Sequence, residues 1–405
     1  MISRTHTPSI LQRISRFILV ALAVAFILSA TACNKHADSD KTAATPSTAP
    51  QKTAASVPNN PLKEAYFGEQ HLHTAYSLDA YIGGARLMPA DAYRFAKGEA
   101  VDVAGVKVQL AKPLDWAAVT DHAEYMGEMY STMVPGAPGH DQDLLKQLRG
   151  LTTMEEREKW FLDYVVKSNR STTPQHPPFY QGPETSANAW KAILAATEQA
   201  YEPGKFTTIP AFEWSCAWKG ANLHRNVFFR DMNVPEQPMS YIDLNHEEDL
   251  WRWMATLDNA GMHVIAIPHN SNASKGKMFG DTDSAGSPLT LEYAEMRSRF
   301  EPLVEMRQIK GNSEVHRWFW AADEFSNFEN ADSIGDYSDR DYTKYGKTDF
   351  AVGDCRVGAL ALAIQALPQN SFLAAHVAVV RPLSQRPKGL RSGERYRDLH
   401  GLAGG

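Results

Sequence analysis

A chain of 405 residues is long enough to bury a core that needs no disulfide staples. At 43% hydrophobic and 22% charged residues it excludes wholesale disorder, and a net charge of −6 argues against nucleic acid held by bulk electrostatics. Three cysteines, Cys33, Cys216 and Cys355, cannot form a disulfide framework, so the 14 histidines carry most of the information, and the expected partner is a small molecule or a metal.

Arg4, Arg13 and Arg16 precede an apolar run at 17–28, followed by Ser29, Ala30, Thr31, Ala32 and Cys33. This is the layout of a signal peptide, and the run is short for a membrane span, which needs about 20 apolar residues. A cysteine directly after small residues resembles the bacterial lipobox, so 1–33 is expected to be a lipoprotein-type signal peptide with Cys33 as the lipidated residue. Simple secretion and an uncleaved anchor are the alternatives. Residues 34–60 are rich in Ala, Thr, Ser, Pro, Lys and Asp with almost no large apolar residue, which predicts a flexible tether. The expected location is the cell envelope, lipid-anchored and facing the periplasm, or the exterior.

From residue 61 onward, apolar strand-like runs alternate with helical patterns. A short strand at 65–68 runs into Glu69-Gln70-His71-Leu72-His73, and the run 114–119 ends in Thr120-Asp121-His122. The run 207–212 ends at Glu213, His224 opens the strand-like segment 225–229, and 263–267 ends at Pro268-His269. A helix is predicted over 187–199, and Asn245 with Glu248 suggests a capping-box start to a helix that Gly261 ends. Alternating strands and helices predict a parallel α/β architecture whose strand ends share one mouth, where sites are built. There is no GxxxxGK loop and no GxGxxG, so a nucleotide-binding fold lacks support. Trp214, Trp218, Trp251, Trp253, Trp318 and Trp320 are expected in core packing rather than in a sugar-stacking platform.

The polar strand ends read as a metal-ligand set. His71 and His73, two apart in an extended segment, point to the same side and can reach one metal or two adjacent ones. Asp121-His122 is weaker by itself, because an Asp at a strand end often caps a helix. Glu213 lies between Ile209-Pro210-Ala211-Phe212 and Trp214, an apolar context in which a carboxylate needs a cation or several donors. His224 and His269 stand beside further strands. Mixed nitrogen and oxygen donors suit zinc, manganese or iron better than calcium. Nothing near Cys216 suggests thiolate activation, so it is expected to be buried filler.

The segments Tyr66-Phe67-Gly68-Glu69-Gln70-His71-Leu72-His73-Thr74-Ala75-Tyr76-Ser77-Leu78-Asp79 and Pro113-Leu114-Asp115-Trp116-Ala117-Ala118-Val119-Thr120-Asp121-His122-Ala123-Glu124-Tyr125 resemble the first two motifs of the PHP (polymerase and histidinol phosphatase) superfamily. They look closest to a bacterial, usually exported group within it that is catalogued as a domain of unknown function. Ala211-Phe212-Glu213-Trp214, Asn222-Leu223-His224-Arg225-Asn226-Val227 and Ile267-Pro268-His269-Asn270 continue the resemblance in order, over 61–349. It implies a distorted, TIM-like β/α barrel with two or three divalent ions, zinc, manganese or iron, at its mouth. On this resemblance His71 and His73 hold one metal and His122 a second, Glu213 bridges, and His224 with His269 completes a third site. Asp79 stands where many members place a histidine. Asp121 is expected to orient His122 or His71, and Arg225 either steadies an anionic substrate or forms a structural ion pair; with Glu213 these make up the expected catalytic residues.

The implied chemistry is hydrolysis of a small phosphoester by a metal-bound hydroxide, with no protein nucleophile. The same ligands also allow an amide or ester hydrolase, or a lipid-anchored metal-binding protein without turnover. Residues 351–405 carry seven basic and three acidic residues, a net of +4, leaving −10 for the preceding 350. Such a tail, 350–405, resembles a frameshifted or truncated reading frame, which predicts a barrel incomplete at the C-terminus. Asp398-Leu399-His400 is the one carboxylate–histidine pair there that could stand in for the family's closing ligands.

Overall fold

A computed structural model of the chain describes residues 65–166, 173–308, 311–314, 321–326 and 379–380. The expected signal peptide, Cys33, the tether, Cys355, Trp318, Trp320 and the tail with Asp398 and His400 lie outside the described residues. The expected α/β class holds, as helices surrounding several small sheets; no closed barrel is formed among the described residues.

The first sheet is parallel. Strand β1 (Gly68–Leu72) is followed by helices α1 (Leu78–Ile82) and α2 (Pro89–Ala96) and by a small antiparallel hairpin, β2 (Val101–Val103) and β3 (Val106–Val108). The chain then returns as β4 (Trp116–Val119), which pairs in parallel with β1, Gly68 opposite Trp116. Gly68 is required there, since a Cβ would stand 2.1 Å from the Trp116 ring. Helices α3 (Met126–Met133), α4 (Asp143–Gly150), α5 (Met154–Phe161) and α6 (Pro183–Ala200) lead to the short β5 (Thr207–Thr208), which completes the sheet beside β4. Helix α6 begins at Pro183, whose fixed φ suits a first turn, and buries Thr185, Ala189, Trp190, Ile193, Ala196 and Thr197 at three- and four-residue spacing.

The strand expected over 207–212 is split, because Pro210 has no N–H to give to a ladder. After it comes β6 (Ala211–Cys216), buried at all six positions. Strands β7 (Leu223–Phe229) and β8 (Val264–Pro268) pair with it to make a second sheet, and here the expected parallel arrangement is corrected: β6–β7 and β7–β8 are both antiparallel. The link 217–222 contains only a 3-10 turn at Trp218–Gly220, too short for a parallel crossover, which needs a dozen residues or more.

Helix α7 (Glu247–Asn259) lies between β7 and β8 in the chain, and the positive φ of Gly261 follows its end as expected. Its expected capping box is not made. His246 occupies the cap position without a capping hydrogen bond from its side chain, while the Asn245 amide donates back to the carbonyls of Tyr241 and Ile242. Helix α8 (Leu291–Phe300) precedes β9 (Val304–Glu305), which pairs in parallel with β12 (Val379–Val380); β10 (Arg307–Gln308) and β11 (Gly311–Asn312) form a minimal hairpin.

The main core collects Trp190, Phe212, Trp214, Val227, Phe229 and Trp251 between the sheets and α6 and α7. Trp214 and Trp251 are fully buried and Trp218 and Trp253 pack against the same core, as expected of packing residues. The two sheets meet where β4 runs on past Val119. Glu213 N–H donates to the Asp121 carbonyl and Ala123 N–H to the Glu213 carbonyl, so His122 and Glu213 pair across the joint.

Candidate metal centre

At this joint the ends of β1, β4 and β8, the start of β7 and the middle of β6 converge. On β6, side chains at every second position share a face, so Glu213 and Ser215 point one way and Trp214 the other. His224 lies opposite Ser215 in register and therefore joins that face; His269 donates its N–H to the His224 carbonyl and follows it.

Glu213 is fully buried with five imidazoles around its carboxylate. Its Oε2 lies 2.9 Å from His73 Nε2 and 3.4 Å from His71 Nε2. Its Oε1 lies 2.7 Å from His224 Nδ1, 3.1 Å from His269 Nε2 and 3.4 Å from His122 Nδ1. Four sets of three residues bring one donor atom each within 4.8 Å of one another: His71, His73 and Glu213; His71, His269 and Glu305; His73, Asp79 and His122; His122, Glu213 and His224.

All six expected ligands are thus brought together, with two differences in grouping. His269 joins His71, at 4.2 Å between ring centroids, and shares a set with Glu305 rather than with His224, whose ring is 5.7 Å away. Asp79, at the start of α1, belongs to the cluster as a carboxylate, with Oδ1 3.1 Å from His73 Nδ1 and Oδ2 3.3 Å from His122 Nε2.

Glu305 was not read from the sequence. It sits on β9, 1% exposed, and its Oε2 lies 2.9 Å from His71 Nδ1 and accepts from the Gln70 amide at 2.8 Å. The available signal was the one that marked Glu213, a carboxylate in an apolar stretch, here Leu303-Val304-Glu305-Met306. Two serines were also missed. Ser215 Oγ contacts His122 Nδ1 and lies 3.2 Å from Glu213 Oε1, while Ser77 Oγ lies 2.9 Å from His73 Nδ1 and accepts from His122 N–H.

The expected role of Asp121 is corrected, and of the two readings of Arg225 the structural ion pair is the one found. Asp121 hydrogen-bonds neither His122 nor His71; its oxygens accept from the Thr74 N–H at 2.5 Å and the Thr74 hydroxyl at 2.6 Å, which pins the turn carrying His73. Burial, opposed by these bonds, pushes its carboxyl up to about 6. Arg225 alternates to the opposite face of β7 from His224, where it is fully buried, pairs with Glu301 at 2.9 Å and lies over the Trp214 ring. It is the structural ion pair and does not face the cluster. Cys216 also faces away, and burial pushes its thiol up to about 12, so it is the inert filler expected.

Burial opposes charge at His71, Glu213 and His269, and their neighbours decide the outcome. Burial works against protonation of His71, but the Glu305 and Glu213 carboxylates overcome it and lift the imidazole to about 9. Burial would raise Glu213 too, yet His122 and His269 hold it well below the usual carboxylate range. His269 goes the other way: burial, with His71 and His224 adding to it, pushes its imidazole well below the ordinary value despite Glu213. His269 therefore presents neutral nitrogens to an ionised carboxylate.

The donor set fits divalent metal. His73 Nε2, His269 Nε2 and Glu213 Oε2 are buried without a hydrogen-bond partner, and the two imidazole nitrogens lie 2.9 and 3.1 Å from oxygens of Glu213. Imidazole nitrogens gathered around one buried carboxylate form a donor set that a cation satisfies, and imidazole with carboxylate suits zinc, manganese or iron.

A family model described as "Protein of unknown function (DUF3604)" matches residues 60–364, past Asp349 where the resemblance read from the sequence stops. No curated protein and no solved structure matches the chain.

Proposed function

Because the chain belongs to this DUF3604 family of unknown function, whose model spans the whole histidine–carboxylate cluster, we propose a function from the cluster itself. The protein is an exported, metal-dependent phosphoester hydrolase of the PHP type, with zinc, manganese or iron at a two- or three-metal site in a distorted β/α barrel. One observation carries the reading: a buried carboxylate, Glu213, presents one oxygen to His71 and His73 and the other to His122, His224 and His269, which is the arrangement a bridging ligand needs.

Ions bound there would lower the pKa of a water and neutralise charge on a phosphoryl oxygen. The chain's own residues hold the frame for that chemistry. Glu305 orients His71 through Nδ1, leaving Nε2 for the centre, and from the open side Asp79 holds His73 through Nδ1 and His122 through Nε2. Asp121 fixes the turn after His73 through Thr74. The N-terminal residues support export and an anchor through Cys33, with 34–60 as a spacer from the membrane; no helix of the described residues is long and apolar enough to cross a membrane.

Elemental analysis of protein purified in metal-free buffer, together with phosphate release from a phosphoester panel, tests the proposal. Two or three transition-metal equivalents per chain with phosphate release is the expected result. Metal without release from any phosphoester would overturn the hydrolase assignment, and a metal-free, fully folded protein would overturn the centre.

A further inference from the structure

Tyr66 and Phe67, the first large apolar side chains of the described chain, are 64% and 55% exposed although they lead directly into β1. Phe67 is fixed at the root of the sheet: its N–H donates to Asp115 Oδ2 and its carbonyl accepts the Asp115 N–H, each at 2.7 Å. The β2–β3 ribbon springs from the same place. Leu114 N–H donates to the Ala96 carbonyl, and Pro113 lies so close to Gly98 that a Cβ added there would stand 2.9 Å from it. The ribbon therefore rejoins the body just before Asp115, next to Phe67.

Val101 pairs with Val108 and Val103 with Val106, so the four valines share one face of the ribbon, while Asp102 and Lys107 stand opposite each other on the other face. Ala104 (φ 51) and Gly105 (φ 86) close the turn in the left-handed region that a tight two-residue hairpin requires. Exposure rises away from the root: Val101 is buried, Val108 is 36% exposed, Val103 45% and Val106 62%. Among the described residues β2 and β3 pair only with each other. A bare two-stranded ribbon is marginal in water, and an apolar surface carried on one marks a place of interaction.

The origin of the chain says what this surface meets. The residues leading into Tyr66 carry the anchor proposed at Cys33, and as a flexible chain the stretch between the two spans about 30 Å r.m.s.. The surface is therefore held beside the bilayer at high effective concentration. Its chemistry fits that neighbour: branched apolar side chains backed by charged ones, beside a tyrosine, a residue type that collects at the water–lipid boundary. The unpaired outer edges of the ribbon keep it out of the hydrocarbon, where no water would satisfy them, and so at head-group depth. We infer that Tyr66, Phe67 and the valine face of the β2–β3 ribbon dock on the lipid bilayer to which the N-terminus is anchored. The inference goes beyond the hydrolase reading and rests on the anchor proposed with it. Strands β1 and β4, about 15 Å long, run from this surface toward His71, His73 and His122, so docking turns the metal centre to the aqueous side.

Photolabelling of the chain as isolated from the cell, in vesicles of phosphatidylethanolamine and phosphatidylglycerol that carry a head-group diazirine lipid, tests it, with the label mapped by mass spectrometry. Label at Tyr66, Phe67 and residues 101–108 is expected at about fivefold or more above that at Leu291 on α8, which is 46% exposed and outside this surface. Val106→Asp should lower the ribbon label about fivefold, the scale of one partly buried valine, with metal content unchanged. Equal label at Leu291, no label at 66–67 and 101–108, or a ribbon label untouched by Val106→Asp would overturn the docking surface. Should Val106→Asp fail to fold, Tyr66→Ser with Phe67→Ser replaces it: a ribbon label reduced about threefold supports the assignment and an unchanged one refutes it. An unmodified Cys33 in the same mass spectra would overturn the anchor instead. The unmodified full chain is then mixed with these vesicles at millimolar lipid, where ribbon label above that of Leu291 upholds the docking surface and its absence overturns it.

Discussion

At the level of single residues, Glu213 carries the greatest consequence. Its charge is buried among five imidazoles, so Glu213→Gln keeps the volume but removes what offsets a cation. Metal measured by elemental analysis should fall by at least one equivalent per chain, and any hydrolysis by about 100-fold or more. His71→Ala and His269→Ala, far apart in the chain but 4.2 Å apart by ring centroids, should each lower metal content as well; loss in only one of them would contradict a shared site. Glu305 is tested separately, because it holds His71 by Nδ1 and completes a set with His269. Glu305→Gln should weaken metal affinity by about 10–100-fold in a competition titration with a chelator.

Among the elements, α3 and α6 show how the loop after His122 is held. Gly127 on α3 meets the start of α6 so closely that an added Cβ would stand 2.5 Å from Ser186 N and 2.6 Å from Thr185 C, both backbone atoms that cannot swing aside. Gly127→Ala should therefore cost about 1–3 kcal/mol, read as a drop of several degrees in the thermal unfolding midpoint. The same helix carries Glu128, fully buried, whose Oε1 accepts the Gln181 N–H. Burial pushes its carboxyl from 4.5 up to about 7, against the pull of that hydrogen bond. Between those two values the folded chain keeps a proton that the unfolded chain has released. Stability from this group is present below the lower value, falls as pH rises through the window, and levels off above it, a loss of about 3 kcal/mol in all. Denaturant unfolding at a series of pH values should show this slope in wild type and a reduced slope in Glu128→Gln.

For the whole molecule, the centre is also a joint between sheets. His71 and His122 come from the parallel sheet and its extension, Glu213 and His224 from the antiparallel one, and among the described residues the backbone link between the two is the short pairing at His122 and Glu213. Ions that draw both sides together stabilise the folded chain by mass action. Treatment with a chelator should lower the unfolding midpoint by several degrees and speed amide exchange in β6 and in the segment after β4, with recovery on adding zinc or manganese. His269→Ala should show a smaller chelator effect than wild type.

How far the sequence alone reached follows from what each residue type can tolerate. His71, His73, His122, Glu213, His224 and His269 were legible because a polar group that ends or interrupts an apolar strand has to be satisfied, and a strand's twofold period says which neighbours share its face. The helix at 183–200 was legible over 187–199 from its apolar spacing and the one at 247–259 from its start and stop signals, although the expected cap at Asn245 was not made because nearby carbonyls captured its amide. Pairing direction was not legible. A short link without a helix turned β6 and β7 antiparallel, and that decided which face Arg225 takes, and so its pairing with Glu301 rather than with a substrate. The partition of ligands into sets, the entry of Glu305 and Asp79, and the redirection of Asp121 to Thr74 depend on distances of a few ångströms between segments up to 235 residues apart. Local composition and periodicity determine which residues must find partners; only the packing of the two sheets decides which partners they find.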